Sequence, residues 1–150
     1  MKKTKKLYHT NPRYTAYSPS ILMITDNPAR LLKLKRQLED NGCQVCLTDP
    51  SSDSLATARQ KYFDLIVLDA EQPGENAFEV YQKLKGYPEL VKIPAVILTT
   101  CNRAKEAISS LKMGWVYFLT APHTDAQESS IGIGLLNFIE QIHYLTYRYT

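Results

Sequence analysis

The chain has 150 residues, 44% of them hydrophobic and 22% charged, which is the make-up of an ordinary globular protein with enough core for one domain. No apolar run approaches bilayer-spanning length, and the opening "MKKTKKLYHTNPRYTAYSPS" lacks the apolar stretch of a secretory signal, so a cytoplasmic protein is expected. The net charge of +3 is uneven: Lys2, Lys3, Lys5, Lys6 and Arg13 put +5 on residues 1–20, which hold no acid, leaving −2 on the remainder.

That asymmetry divides the chain into a basic N-terminal extension over 1–20 and one folded unit over 21–150. The extension reads either as an arm for nucleic acid, anionic lipid or an acidic partner, or as a solvated leader. Tyr8, Tyr14 and Tyr17 leave open that part of it packs on the body.

Beyond it, Ile21-Leu22-Met23-Ile24 forms a first strand. Asn27-Pro28 supplies an N-cap and a proline at the first helical position. Leu31, Leu34 and Leu38 line one helical face as far as the stop at Asn41-Gly42. Residues 43–48 make a second strand. Asp49-Pro50-Ser51 opens a helix to about Tyr62, with Leu55, Ala58 and Tyr62 inward. The third strand is 65–69, and Phe78, Tyr81 and Leu84 mark a helix ending at Gly86. Ala95 to Thr99 is the fourth strand, a helix over about 103–113 stops at Gly114, and Val116–Thr120 is the fifth strand. A last helix over about 126–147 carries Ile131, Leu135, Phe138, Ile142 and Leu145 on one stripe. Gly132 and Gly134 weaken its start by about 1 kcal/mol each relative to alanine.

Three cysteines make no disulfide framework. Cys43 and Cys46 form a C-x-x-C, but on a strand residues three apart point to opposite faces, and no second Cys/His pair completes a zinc site. They read as packed core residues.

Strands apolar on both faces and separated by helices imply a parallel sheet covered on both sides. The fold class is α/β: a flavodoxin-like (βα)5 doubly wound sheet of five parallel strands in a three-layer α/β/α sandwich. Ligands of such sheets sit beyond the carboxyl ends of the strands. The residues there are Thr25 and Asp26, Asp69, Thr99 and Thr100, and Thr120-Ala121-Pro122. A carboxylate on that rim can accept a phosphoryl group, and a pair of them with a backbone carbonyl can hold Mg²⁺. Either acid alone could merely cap the following turn. No G-x-G-x-x-G, G-x-x-x-x-G-K-[ST] or G-x-S-x-G is present, and His9, His123 and His143 are scattered.

The segments "ILMITDNPARLLKLKRQLEDNGCQV", "DLIVLDAEQPGENAFEVYQKLK", "IPAVILTT" and "GWVYFLTAP" resemble, in order, the motifs of response-regulator receiver domains. The resemblance covers about 21–147. It implies a phosphoacceptor at Asp69, a switch hydroxyl at Thr99, the switch aromatic at Phe118, and Mg²⁺ on Asp26, Asp69 and the backbone carbonyl of Glu71. Phe118 also reads as a plain core aromatic. Two departures stand out. Thr25 replaces one acid of the family's acidic pair, which should weaken Mg²⁺ binding. Ala121 replaces the family lysine that pairs with the acceptor, a charge-assisted contact worth about 1.5–3 kcal/mol. Lys92 and Arg103 are the candidate substitutes.

The resemblance therefore implies a stand-alone receiver in phosphorelay signalling and not an enzyme. Its atypical form, a pseudo-receiver, would act by protein–protein contact with phosphorylation at Asp69 impaired or lost and Mg²⁺ weak or absent. The alternatives are a working phosphoacceptor using Asp69 and Mg²⁺ and, more remotely, a flavin carrier or enzyme. Expected partners are a histidine kinase or another signalling protein, and a second copy through the helix 4/strand 5/helix 5 face (here 103–113, 116–120 and the last helix). Leu136, Ile139 and His143 either form a partner surface on that last helix or widen its packed face. At this length no fused output domain is expected, so nucleic acid is not an expected partner.

Overall fold

The computed structural model describes residues 18–69, 76–84, 86–98, 116–119 and 130–141. Five strands, β1 (Ser20–Ile24), β2 (Gln44–Thr48), β3 (Leu65–Asp69), β4 (Ala95–Leu98) and β5 (Val116–Leu119), form one parallel sheet in the order β2-β1-β3-β4-β5. That is the doubly wound order of flavodoxin-like folds, reversing beside β1 and β3. Among the described residues the helices are α1 (Leu32–Asp40), α2 (Ser52–Ala58), α3 (Asn76–Leu84), the short α4 (Pro88–Val91) and α5 over 130–141.

The alternation of strand side chains sorts the core into two halves. Ile21, Met23, Leu65, Val67, Val96 and Leu98 face α1 and α5, meeting Leu31, Leu34, Leu38, Leu135, Leu136 and Ile139. Leu22, Ile24, Ile66, Leu68, Ala95 and Ile97 face α2, α3 and α4, meeting Leu55, Ala58, Val80, Leu84 and Leu90. Burying one such leucine or isoleucine contributes about 1.5–3 kcal/mol, so these two layers hold the strand ends in place. Cys43 packs in the first half and the partly buried Cys46 against the second, on opposite faces of the sheet.

Several elements differ from the sequence reading. A 3₁₀ turn over Pro28–Leu31 precedes α1, and the Asn27 side chain does not cap it. The stop after α1 is as expected. Gly42 takes φ 96°, donates its N–H to the Glu39 carbonyl, and lets Cys43 N–H reach the Leu38 carbonyl, a Schellman motif. α2 ends at Ala58, so Tyr62 is 78% exposed and Phe63 supplies the buried aromatic instead. The chain must leave the helix early to bring Asp64 back to β1, where its carboxylate accepts the Ser20 N–H at 2.8 Å.

The buried stripe of α5 is rotated relative to the expected one. Leu136 and Ile139 are core residues, while Ile131 and Phe138 are only partly buried against that core. Leu136 and Ile139 thus widen the packed face and are not available as a partner surface. Gly132 is buried on the same side, where an added Cβ would collide with the side chain of Gln37 on α1. Residues 1–17 of the basic extension lie outside the described residues. Ser18 and Pro19 are already tied to the body, through Ser18 Oγ to the Gly42 carbonyl (2.7 Å) and Gln44 N–H to the Pro19 carbonyl (2.7 Å).

Candidate functional site: a clamped strand-end carboxylate

β3 is buried at all five positions, so Asp69 is driven to the carboxyl edge of the sheet inside its apolar neighbourhood. The β1–β3 register pairs Ile24 with Leu68, which brings Thr25, itself 1% exposed, beside Asp69. The Thr25 hydroxyl donates to Asp69 Oδ2 at 2.7 Å and accepts the Asn27 N–H at 3.0 Å. A hydroxyl that takes the N–H two residues on folds the chain into a turn. Thr25 therefore shapes the turn that leads into the 3₁₀ segment, whose N-cap Asn27 makes no side-chain cap.

The turn aims the next basic side chain back at the rim. Arg30 donates from Nε to Asp69 Oδ2 at 3.1 Å and from Nη2 to Oδ1 at 2.7 Å. This two-pronged pairing matches the planar fork of guanidinium to carboxylate. The Asp69 side chain is 0% exposed and that of Arg30 is 32% exposed, so the carboxylate is sealed and the cation forms its lid. A buried carboxylate without such a partner would be strongly destabilising.

Of the residues singled out in the sequence, Thr25 and Asp69 meet directly. Asp26 is exposed and takes no part in the Thr25–Asp69–Arg30 group. Phe118 lies on β5 in register with Ile97, and only its backbone is described. Glu71, Thr99, Thr100, Thr120, Ala121 and Arg103 lie outside the described residues. Lys92 is not a substitute cation: it is exposed and precedes Ala95 at the amino end of β4, whereas Asp69 sits at the carboxyl end, in register with Leu98. The residue missed in the sequence is Arg30. One signal was present, since a cation near the start of a helical segment opposes the helix dipole and implies a nearby anion.

Magnesium requires near-octahedral oxygen ligation at about 2.0–2.1 Å. Asp69 Oδ2 already accepts from both Thr25 and Arg30, and Oδ1 accepts from Arg30. Among the described residues no group of three or more His, Cys, Asp or Glu side chains converges. In this arrangement the described residues do not fit a magnesium site. They form instead an internally neutralised acid.

A doubly wound sheet with a buried acid at the end of its third strand is a flavodoxin-like α/β domain with a candidate site on its carboxyl rim. The family model for the response regulator receiver domain matches residues 21–128, and the chain belongs to that family. It is 32% identical over 102 residues to Protein PilH of Pseudomonas aeruginosa, covering 68% of this chain and 84% of PilH. It is 28% identical over 123 residues to the sensor protein GacS of Pseudomonas syringae, covering 80% of this chain but only 14% of GacS. Among solved structures, the receiver domain of a Francisella response regulator superposes with a TM-score of 0.63 at 21% identity, covering 86% of this chain and 99% of that one. A receiver domain of a Pseudomonas aeruginosa sensor histidine kinase, with magnesium coordinated in its active-site cleft, shares the fold at a TM-score of 0.56 and 20% identity, covering 80% of this chain and 98% of that one. Among the described residues no helix is long and apolar enough to cross a membrane.

Proposed function

We propose that this receiver domain is an atypical, pseudo-receiver form, signalling by protein–protein contact with phosphoryl acceptance at Asp69 impaired. The observation that carries the reading is the Asp69 carboxylate, sealed from solvent and hydrogen-bonded through both oxygens to Arg30, with Thr25 a further donor to Oδ2. A nucleophilic carboxylate needs an accessible lone pair and a path for in-line attack. Here both lone pairs of Oδ2 and one of Oδ1 are engaged, and a guanidinium lies against both oxygens. Thr25 in place of an acid and Ala121 in place of the lysine remove further parts of the apparatus. On this reading the domain is not an enzyme, and Mg²⁺ binds weakly. It works in the cytoplasm as a partner of a histidine kinase or another signalling protein. A homodimer through the 103–113, β5 and α5 face belongs to the same reading.

A second reading, a working phosphoacceptor, has one observation in its favour. Arg30 supplies beside Asp69 a cation that position 121 lacks. Intact-mass measurement after incubation with acetyl phosphate and Mg²⁺ decides between the two, with Asp69→Asn as control. No adduct is expected. A phosphoryl mass that disappears in Asp69→Asn would establish the second reading.

A further inference from the structure

The geometry points to Arg30 as a built-in counter-ion: its guanidinium occupies the cation position of Asp69, so that this domain neutralises its strand-end acid internally and excludes a divalent metal until the arginine is displaced. The inference rests on the reading of Asp69 as an impaired acceptor and names what holds it so. Both prongs of the fork lie on the carboxylate, Nη2 at 2.7 Å from Oδ1 and Nε at 3.1 Å from Oδ2, and the Thr25 hydroxyl takes the other lone pair of Oδ2 at 2.7 Å. A divalent ion about 2.0–2.1 Å from either oxygen would meet a fixed positive charge at hydrogen-bond distance from the same atoms. A cation on one oxygen would leave the other for a metal, whereas the Arg30 fork holds both, so a divalent ion must displace at least one prong.

The lid is nevertheless movable. Arg30 stands on a short 3₁₀ turn, is one-third exposed, and projects from the outer edge of the rim, while Asp69 and Thr25 are fixed in the sheet. Displacing it costs the metal the value of a charge-assisted pairing, which weakens divalent binding by about ten- to a hundredfold relative to a chain without the arginine. Position 25 reinforces the exclusion. Its hydroxyl contributes a hydrogen bond but no charge, so it adds no second carboxylate to compete with the guanidinium for a metal.

The test is a Mn²⁺ titration of the full chain followed by the free-ion electron paramagnetic resonance signal, with unfolding midpoints in Mg²⁺ as a parallel readout. Arg30→Gln is expected to bind the ion about ten- to a hundredfold more tightly than the unaltered chain, and Arg30→Gln with Asp69→Asn to lose that gain. Equal affinity in the unaltered chain and Arg30→Gln overturns the inference. If Arg30→Gln does not fold, the unaltered chain carries the test through the Arg30 Nε–H nuclear magnetic resonance signal. That signal is expected to be protected from exchange and to hold its position at Mg²⁺ concentrations that saturate Thr25→Asp with Arg30→Lys. A shift at lower Mg²⁺ concentrations than that variant requires overturns it. Phosphoryl uptake by the unaltered chain counts against the impaired-acceptor reading alone, because metal exclusion is read from the titration and not from the adduct.

Discussion

Removing Arg30 should destabilise the fold far more than loss of an ordinary surface charge. Arg30→Met keeps most of the apolar stem and deletes both donors, so a carboxylate with 0% side-chain exposure loses its two-pronged guanidinium partner. Stranding a fully buried charge costs about 3–5 kcal/mol, whereas exposed pairs contribute about 0.2–1 kcal/mol. Because Arg30 keeps 32% of its side-chain surface in water, the expected loss lies between, at about 2–3 kcal/mol. Urea unfolding at neutral pH measures it, and a cycle through Arg30→Met, Asp69→Asn and the double variant isolates the pair. Their coupling should be about 1.5–2.5 kcal/mol and change little between low and high salt, because the carboxylate side is shielded from the ionic atmosphere. A coupling under about 0.5 kcal/mol, or one that vanishes in high salt, would show the contact to be an ordinary surface pair and refute the sealed-acid account.

Other substitutions test the packing around the site. Leu136→Ala should cost about 2–5 kcal/mol in urea unfolding, since Leu136 is 4% exposed in the core; a neutral result would return it to the role of a partner-surface residue. Gly134→Ala should raise stability by about 0.5–1 kcal/mol, because an added Cβ meets nothing within 4 Å on an exposed helical position, and a loss there would contradict the helix at 130–141. Asp49 has its carboxyl held below the usual carboxylate range by hydrogen bonds from the Ser51 hydroxyl and N–H and from Ser54. A lowered folded-state pKa contributes stability that is complete above the unfolded value and lost as pH falls through the folded one. The gap between the unaltered chain and Asp49→Asn should therefore be largest near neutrality and close below about pH 4. A gap that widens on acidification would reverse the sign of this account.

Much of the architecture was legible in the chain. Short apolar runs at 21–24, 65–69 and 95–98 could only be strands buried on both faces, and Leu31, Leu34 and Leu38 at helical spacing are all core residues. Asn41-Gly42 announced its helix stop, because φ 96° suits glycine and few other residues. Asp69 at the end of an apolar run marked the functional rim. These features depend on periodicity and local backbone preference, which neighbouring residues carry among themselves.

What the tertiary structure decided lies across long separations in the chain. The cation for Asp69 is Arg30, 39 residues away, and not Lys92, because the β1–β3 register and the turn set by Thr25 bring the start of the first helical segment over the end of the third strand. Which stripe of α5 is buried was equally undecided by its own pattern. Leu136 and Ile139 join Leu135 in the core, while Ile131 and Phe138 are left partly buried, because the helix is set against strands and α1 residues far away in the chain. Sequence determines which residues want partners, through hydrophobicity and charge. The partner each one receives follows from the register of strands that meet only after the chain has folded.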